Sequence, residues 1–321
     1  MPSTSDWKVS AAMQPRAADY SCDLDRALQS VVGLRATMPA DAFTAKTLGT
    51  ERAGHGVMIR SDGLILTIGY LITEADEVWL HLADGRAVPG HALAFDQATG
   101  FGLVQALARI DLPALPLGNS GAVTVGEAVV VAGAGGRKRS VAAKVVGKQE
   151  FAGYWEYVVD EAIFTAPSHP NWGGTALIGP AGDLLGIGSL QLEASGGKDI
   201  NMIVPIDLLK PAMDELLAYG RRKGPARPWL GLYVADTDDK LVVMGLADKG
   251  PAQRAQIAAG DEVIAINGAS AESLSGLFRK IWSMGDAGVD VPLTMLRDGK
   301  TFDATIKSAD RHSFLKTPRL H

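Results

Sequence analysis

The side chains with the widest chemical repertoire are few and scattered along this chain. Cys22 is the single cysteine among 321 residues, so it cannot form an intramolecular disulfide and is expected to be a buried or idle thiol. His81, His91, His312 and His321 show no ligand spacing with cysteine, aspartate or glutamate. The sequence therefore predicts no metal site.

A serine and a histidine stand side by side at Ser168 and His169. Adjacent side chains diverge in an extended chain, which is unsuitable for a nucleophile and its base. The glycine-rich stretch AGAGG at 132–136 lacks the lysine and serine of a phosphate-binding loop, and no helical pattern follows it. Neither feature predicts catalysis, and no cofactor is expected.

Length and composition indicate about two domains and exclude several classes of protein. The net charge of −5 gives no basic footprint for nucleic acid, and no run of 18 apolar residues could span a membrane. The N-terminus has no apolar run behind a basic start, so it does not read as a secretory signal. We expect a cytoplasmic protein, or a periplasmic one only if the N-terminus has been trimmed.

The apolar pattern divides the chain into a β-rich part and a smaller mixed part. Between residues 54 and 204, short apolar or alternating runs recur at the intervals typical of a β-barrel or sandwich. The remaining expectations are a flexible arm at 1–21, helices at 24–32, 205–219 and 273–284, a linker at 221–226, a mixed unit at 227–308 and a tail at 309–321.

Six segments, in order, resemble the HtrA (Deg) family of serine proteases. They are GHGVMIRSDGLILT (54–67), LPALPLGNSGAVTVGEAVVVAGAG (112–135), GDLLGIGSL (182–190), NMIVPIDLL (201–209), WLGL (229–232) and AAGDEVIAING (258–268). The resemblance implies a mainly β protein: a chymotrypsin-like pair of six-stranded antiparallel β-barrels over 22–220, then an α+β PDZ domain over 227–308. It places the barrels at about 22–112 and 113–204, with a closing helix at 205–219.

The positions that match the family's catalytic triad carry other residues. The histidine position is Tyr70, the aspartate position is Gly100 and the nucleophile position is Trp172. A phenol is protonated at neutral pH and is a poor base, glycine has no side chain, and indole has no nucleophilic atom. The resemblance therefore implies a pseudoprotease with no intact catalytic residue.

Several nearby groups could in principle restore part of the chemistry. The N–H groups of Gly173 and Gly174 are the candidates for a residual oxyanion hole, although Trp172 is expected to block access to them. His55 replaces a small residue of the family's G-x-G strand, and Asp96 matches a non-catalytic turn aspartate. Both are expected to be structural.

The PDZ resemblance implies the remaining activity. In this family the loop before the binding strand, here Trp229, Leu230, Gly231 and Leu232, directs N–H groups toward a ligand's C-terminal carboxylate. Leu277 and Ile281, one helical turn apart, could line the pocket for the ligand's last side chain, or could simply belong to the core. The chain's own tail or linker could also fill this groove.

Three functions stay open at this point. The first is a non-catalytic scaffold that binds peptides or protein C-termini, and the second is an active serine endopeptidase whose triad lies elsewhere. The third is a regulatory subunit that assembles with an active homologue, since the family typically forms trimers. No alternative G-x-S-G-G or T-x-x-H element occurs in the chain, which favours the first over the second.

Overall fold

The structure, a computed structural model, describes residues 7–194, 196–238 and 240–317. The chain divides into two compact units. The first contains the described residues of Met1–Gln149, Glu161–Lys223 and Lys316–His321. The second contains Glu150–Asp160 and the described residues of Gly224–Leu315. Glu150–Asp160, which we call the hairpin tip, therefore belongs to the C-terminal unit.

The first barrel is a closed antiparallel sheet in the strand order β1–β2–β3–β6–β5–β4. Its strands are β1 Val31–Thr37, β2 Glu51–Arg60, β3 Leu64–Ile68, β4 Glu77–His81, β5 Ala87–Phe95 and β6 Phe101–Ala106. Asp-Gly turns connect β2 to β3 and β4 to β5, with Gly63 and Gly85 at positive φ. Leu66, Phe101 and Leu103 fill the interior.

The second barrel closes in the order β10–β11–β12–β9–β8–β7. Its strands are β7 Ala128–Ala132, β8 Ser140–Gly153, β9 Tyr157–Ala166, β10 Ala176–Ile178, β11 Leu184–Ala194 and β12 Lys198–Pro205. Alternate residues of β7 and β8, among them Val129, Val131 and Val141, point into one buried cluster. The predicted fold class, two six-stranded barrels followed by a mixed unit, is confirmed.

Three short helices border the barrels: α1 Leu24–Gln29, α2 Ala45–Leu48 and α3 Met213–Tyr219. Of these, α1 and α3 were predicted, and both are shorter than expected. The helix expected over 24–32 ends early because Val31 and Val32 are recruited into β1. The helix expected over 205–219 begins as a 3₁₀ turn at Ile206–Leu208 and becomes α-helical only from Met213. In the ranges that the structure describes, no helix is both long and apolar enough to cross a membrane.

The expected flexible arm is packed against the second barrel from residue 7 onward. Val9 is buried in the same cluster as Val129, and its N–H donates to the Lys138 carbonyl at 2.8 Å. The Trp7 and His169 rings meet edge to face at 5.3 Å. An irregular segment with no periodicity can thus still bury single apolar side chains. Residues 1–6 of the arm lie outside the described residues.

The C-terminal unit is a sheet in the order β13–β14–β15–β17–β18, with β16 paired to β15. Its elements are β13 Leu232–Thr237, β14 Lys240–Leu246, α4 Pro251–Arg254, β15 Glu262–Ile266, β16 Ala269–Ser270, α5 Leu274–Ser283, β17 Asp290–Arg297 and β18 Lys300–Lys307. Ser273 caps α5 by accepting a hydrogen bond from the Gly276 N–H. In the expected tail, Phe314 packs on Trp229 with ring centroids 4.9 Å apart, while residues 318–321 lie outside the described residues.

Candidate functional site

Tyr70 and Trp172 meet in the first unit, between a turn of the first barrel and a loop of the second. Tyr70 lies in the 3₁₀ turn Gly69–Leu71 that follows β3, and Trp172 lies between β9 and β10. The Tyr70 hydroxyl donates to the Ser189 carbonyl at 2.9 Å and is hydrogen-bonded by the Trp172 side chain. Burial raises the pKa of the Tyr70 phenol above its ordinary value. The phenol is therefore a neutral, fully engaged group.

Gly100 lies on the other side of the same turn. Its carbonyl accepts a 2.6 Å hydrogen bond from the N–H of Gly69, the residue before Tyr70. Its φ is +82°, a left-handed conformation that favours glycine over residues with a side chain. The structure thus brings the three positions 70, 100 and 172 together and supplies neither a base nor a nucleophile among them.

The histidines near this site are held by backbone groups. His169 is fully buried, with Nδ1 accepting from the Asn171 N–H and Nε2 2.9 Å from the Arg139 carbonyl. His55 accepts at Nδ1 from the Ala134 N–H. Burial, together with the neighbouring His169, lowers the pKa of His55 to about 3. Both rings are neutral structural groups.

Asp96 is likewise a turn residue. Its carboxylate accepts from the Thr99 hydroxyl at 2.8 Å and pairs with Arg222 at 3.0 Å. Ser168 and His169 are neighbours in sequence, but both ring nitrogens of His169 are engaged with backbone groups. Neither His55, His169 nor Asp96 is arranged as part of a substitute triad.

The loop of residues 229–232 in the C-terminal unit holds a carboxylate that belongs to this chain. Glu156, in the turn at the middle of the hairpin tip, accepts hydrogen bonds from the N–H groups of Leu230, Gly231 and Leu232. The distances to its oxygens are 3.1, 2.7 and 3.1 Å respectively. Gly231 has φ +73°, which turns these successive N–H groups toward one point.

A second backbone contact extends this interaction along β13. The Val234 N–H donates to the Tyr154 carbonyl at 2.9 Å, and the Tyr154 ring meets the Tyr233 ring edge to face at 5.9 Å. Tyr154 lies two residues before Glu156, and Val234 lies two residues after Leu232. The turn at residues 154–156 therefore contacts β13 through one backbone hydrogen bond, two residues before the carboxylate that the loop holds.

The apolar residues expected to line a ligand pocket are buried in the core of this unit. Leu277 and Ile281 on α5 are both 0% exposed and belong to its main apolar cluster. Ala152 and Val158 of the hairpin tip pack against that cluster. In this structure Leu277 and Ile281 are therefore core residues, which was the second of the two alternatives drawn from the sequence.

The Glu156 carboxyl group experiences opposing influences on its pKa. Its complete burial raises the pKa, whereas the three N–H donors and the positive charge of Arg311 lower it, and the result is about 7. A carboxyl group with this pKa changes its charge near neutral pH. Ion pairs from Arg279 to Glu150, at 2.5 Å, and to Asp160 tie both sides of the tip to α5.

Comparisons with known proteins agree with this architecture. Residues 54–187 match the family model of the trypsin-like peptidase domain, and residues 228–307 match that of the PDZ domain. The order of these two domains is the one that the resemblance to the HtrA family implies. It is 28% identical over 271 residues to a probable periplasmic serine endoprotease DegP-like of Halomonas elongata, covering 80% of this chain and 56% of that one.

A second curated relative shows the same relationship. A probable periplasmic serine protease do/HhoA-like of Haemophilus influenzae is 28% identical over 286 residues, covering 82% of this chain and 60% of that one. The chain thus spans little more than half the length of these curated relatives. The solved structure of the HtrA-type protease AlgW with tripeptide has a TM-score of 0.53 at 21% identity, covering 95% of this chain and 99% of that chain, which supports the fold.

Against the serine-protease template, the oxyanion hole of this chain lacks one of its two donors. The template uses the N–H groups of the nucleophile and of the residue two positions before it. Position 170 is a proline and has no N–H. The Gly174 N–H, expected from the sequence as a residual donor, instead donates to the Gly188 carbonyl at 2.8 Å. The other expected donor, Gly173, lies against Tyr70, since a Cβ built on it would be 2.7 Å from the hydroxyl.

The functional residue that sequence reasoning missed is Glu156. It is one of 36 acidic residues and lies 74 positions before the first loop residue whose N–H it accepts. From the sequence we expected that the chain's own tail or linker could fill this groove. In the structure the segment that contacts the loop 229–232 is the hairpin tip. No cluster of three metal-ligating side chains occurs among the residues that the structure describes.

Proposed function

We propose that this HtrA-type chain is a non-catalytic binding protein that recognises the C-terminal carboxylate of a peptide or protein through its PDZ unit. The observation that carries the proposal is the loop 229–232, whose three N–H groups converge on one carboxylate. Backbone N–H groups that converge in this way form an anion site, and β13 beside them offers an edge for strand addition.

The absence of protease activity rests on the environment of Tyr70 and Trp172. The hydrogen bond that the Trp172 side chain donates to the Tyr70 hydroxyl lies where the HtrA resemblance puts the nucleophile and the base. Loss of nucleophile and base as a unit costs on the order of 10⁶ in kcat. The missing N–H at Pro170 removes one of the two oxyanion donors as well, and such a loss costs a further 10²–10³, roughly.

A fluorophosphonate probe tests this part of the proposal. The purified chain, incubated with the probe and with unfolded casein, is expected to remain unlabelled and to leave casein intact, while trypsin in a parallel tube is labelled. Covalent labelling that disappears in a single serine variant, such as Ser168→Ala, would instead establish an active endopeptidase with an unconventional triad.

The cellular compartment and the oligomeric state are proposed from the relatives and from the HtrA resemblance. The curated relatives are named periplasmic proteases, and we propose the periplasm in place of the cytoplasm expected from the sequence alone. The HtrA resemblance implies a homotrimer or an assembly with an active homologue. Osmotic-shock fractionation and analytical ultracentrifugation measure the two properties directly.

A further inference from the structure

The hairpin tip presents the features expected of a bound C-terminal peptide. A ligand of this kind needs a terminal carboxylate in the loop, a backbone carbonyl two residues earlier that accepts from the binding strand, and apolar contacts beneath it. Glu156 supplies the carboxylate from its side chain, and Tyr154 supplies the carbonyl to Val234. Val158 supplies apolar contact with the core of the unit.

The contacts of the tip use the donors that an external ligand would need. The N–H groups of Leu230, Gly231 and Leu232 are all directed at the carboxylate of Glu156, a residue that is only 5% exposed. A second carboxylate cannot reach the same donors while Glu156 remains, because two anions would share one buried site. Binding of a ligand therefore requires departure of the tip.

We propose that residues 154–156 are an internal ligand that occupies the PDZ groove, and that a partner's C-terminal carboxylate binds only by displacing Glu156. This inference rests on the proposed function, because it assumes that the loop also accepts an external carboxylate. The apparent affinity for such a partner is then reduced by the fraction of molecules in which the tip is displaced.

The substitution Glu156→Ala tests the inference, because it removes both oxygens that accept from the loop, whichever protonation state the carboxyl group has. Hydrogen exchange at the amides of residues 230–232 should accelerate about tenfold or more in the variant, because these N–H groups lose their acceptor. The matched control is Glu272→Ala, which truncates an exposed glutamate of the same unit and should leave these amides unchanged.

A peptide measurement separates this inference from the proposed function. The probe is a pool of fluorescein-labelled heptapeptides with a free carboxylate and an apolar last residue, followed by anisotropy. The Glu156→Ala chain should bind the pool roughly tenfold more tightly than the native chain. Unchanged exchange at 230–232, or equal affinity of both chains, overturns the internal ligand. Faster exchange without binding of any peptide by either chain overturns the proposed function instead.

The native chain provides a second test that does not depend on the variant folding. At saturating peptide, the amides of the tip should lose protection while those of 230–232 keep it, since the ligand takes over the donors. Bound peptide with a fully protected tip would show that Glu156 stays in place, and the inference would be wrong.

Discussion

The Oε1 atom of Glu156 lies 2.7 Å from the amide nitrogen of Gly231, in a loop whose N–H groups converge on a single point. The contact shows that the loop has the geometry of a carboxylate site and that a carboxylate of the same chain occupies it. We therefore propose that the function lies in the PDZ unit rather than in the cleft around Tyr70, where positions 70, 100 and 172 carry neither a base nor a nucleophile.

The ionisation of Glu156 should make stability depend on pH in a defined direction. Its pKa is about 7 in the folded chain, with Arg311 as the charged group that opposes the effect of burial, against an ordinary value of 4.5. The folded state therefore holds a proton that the unfolded chain releases. The resulting stabilisation is complete below pH 4.5 and is lost as the pH rises through 7, by on the order of 3 kcal/mol.

Urea unfolding of the native chain and of Glu156→Gln, at several pH values from 4.5 to 8, measures this contribution. Other titrating groups cancel in the difference between the two chains. As the pH rises across this range, the free energy of unfolding of the native chain should fall relative to that of the variant. A difference independent of pH would contradict the raised pKa. Peptide affinity of the native chain should rise over the same range, because the tip is released more readily.

His55 should have the opposite effect on the barrel unit. Burial lowers its pKa to about 3 from 6.5, so the neutral form is required by the fold. Its stabilisation is present above pH 6.5 and is lost as the pH falls toward 3, by on the order of 4 kcal/mol. His55→Gln should flatten the acid limb of the unfolding curve. His91→Gln, a partly exposed histidine of β5, is the control and should leave that limb unchanged.

Restoring the three triad residues should not restore proteolysis. In the variant Tyr70→His, Gly100→Asp, Trp172→Ser, the new aspartate must adopt the φ of +82° at position 100, which costs about 1–2 kcal/mol. Pro170 still lacks its N–H, and the Gly174 N–H still donates to Gly188. The casein assay should detect no cleavage and thermal unfolding should show a lower Tm. Efficient cleavage by this triple variant would refute the account of the cleft.

The turn at Gly231 should tolerate no β-branched residue. A Cβ built there would lie 3.0 Å from the Ala247 Cβ and 3.2 Å from the Trp229 ring, at a φ of +73°. We expect Gly231→Val to destabilise the unit by about 1–3 kcal/mol and to weaken peptide binding. Gly245→Val is the control, since its Cβ would meet only the Tyr233 ring at 3.4 Å. Equal effects of both variants in thermal unfolding and anisotropy would count against a special role for this turn.

Much of the fold could be predicted from the sequence because its signals are local. The Asp-Gly turns mark hairpins directly, and Ser273 announces the start of α5. The ends of the helices near residues 30 and 210 could not be predicted, because strand pairing of Val31 and Val32 overrides their helical spacing. Tertiary partners, rather than propensity, decide such boundaries.

The candidate site was partly predictable for the same reason. The substitutions at 70, 100 and 172 are visible wherever the surrounding motif is recognised, and so is the loop at 229–232. Glu156 is not, because its role depends on a contact across more than seventy residues and on no local pattern. The packing of Val9 and Trp7 is equally invisible, since single apolar residues in an aperiodic segment carry no periodic signal.

We propose that the PDZ loop binds a free carboxylate. The most direct test is a calorimetric titration of the Glu156→Ala chain, whose loop N–H groups are free of the internal carboxylate, with one heptapeptide as its free acid and as its C-terminal amide. Hydrogen bonds to a charged group contribute about 1.5–3 kcal/mol, so the amide should bind roughly ten- to a hundred-fold more weakly. Equal affinity for the acid and the amide would contradict the claim.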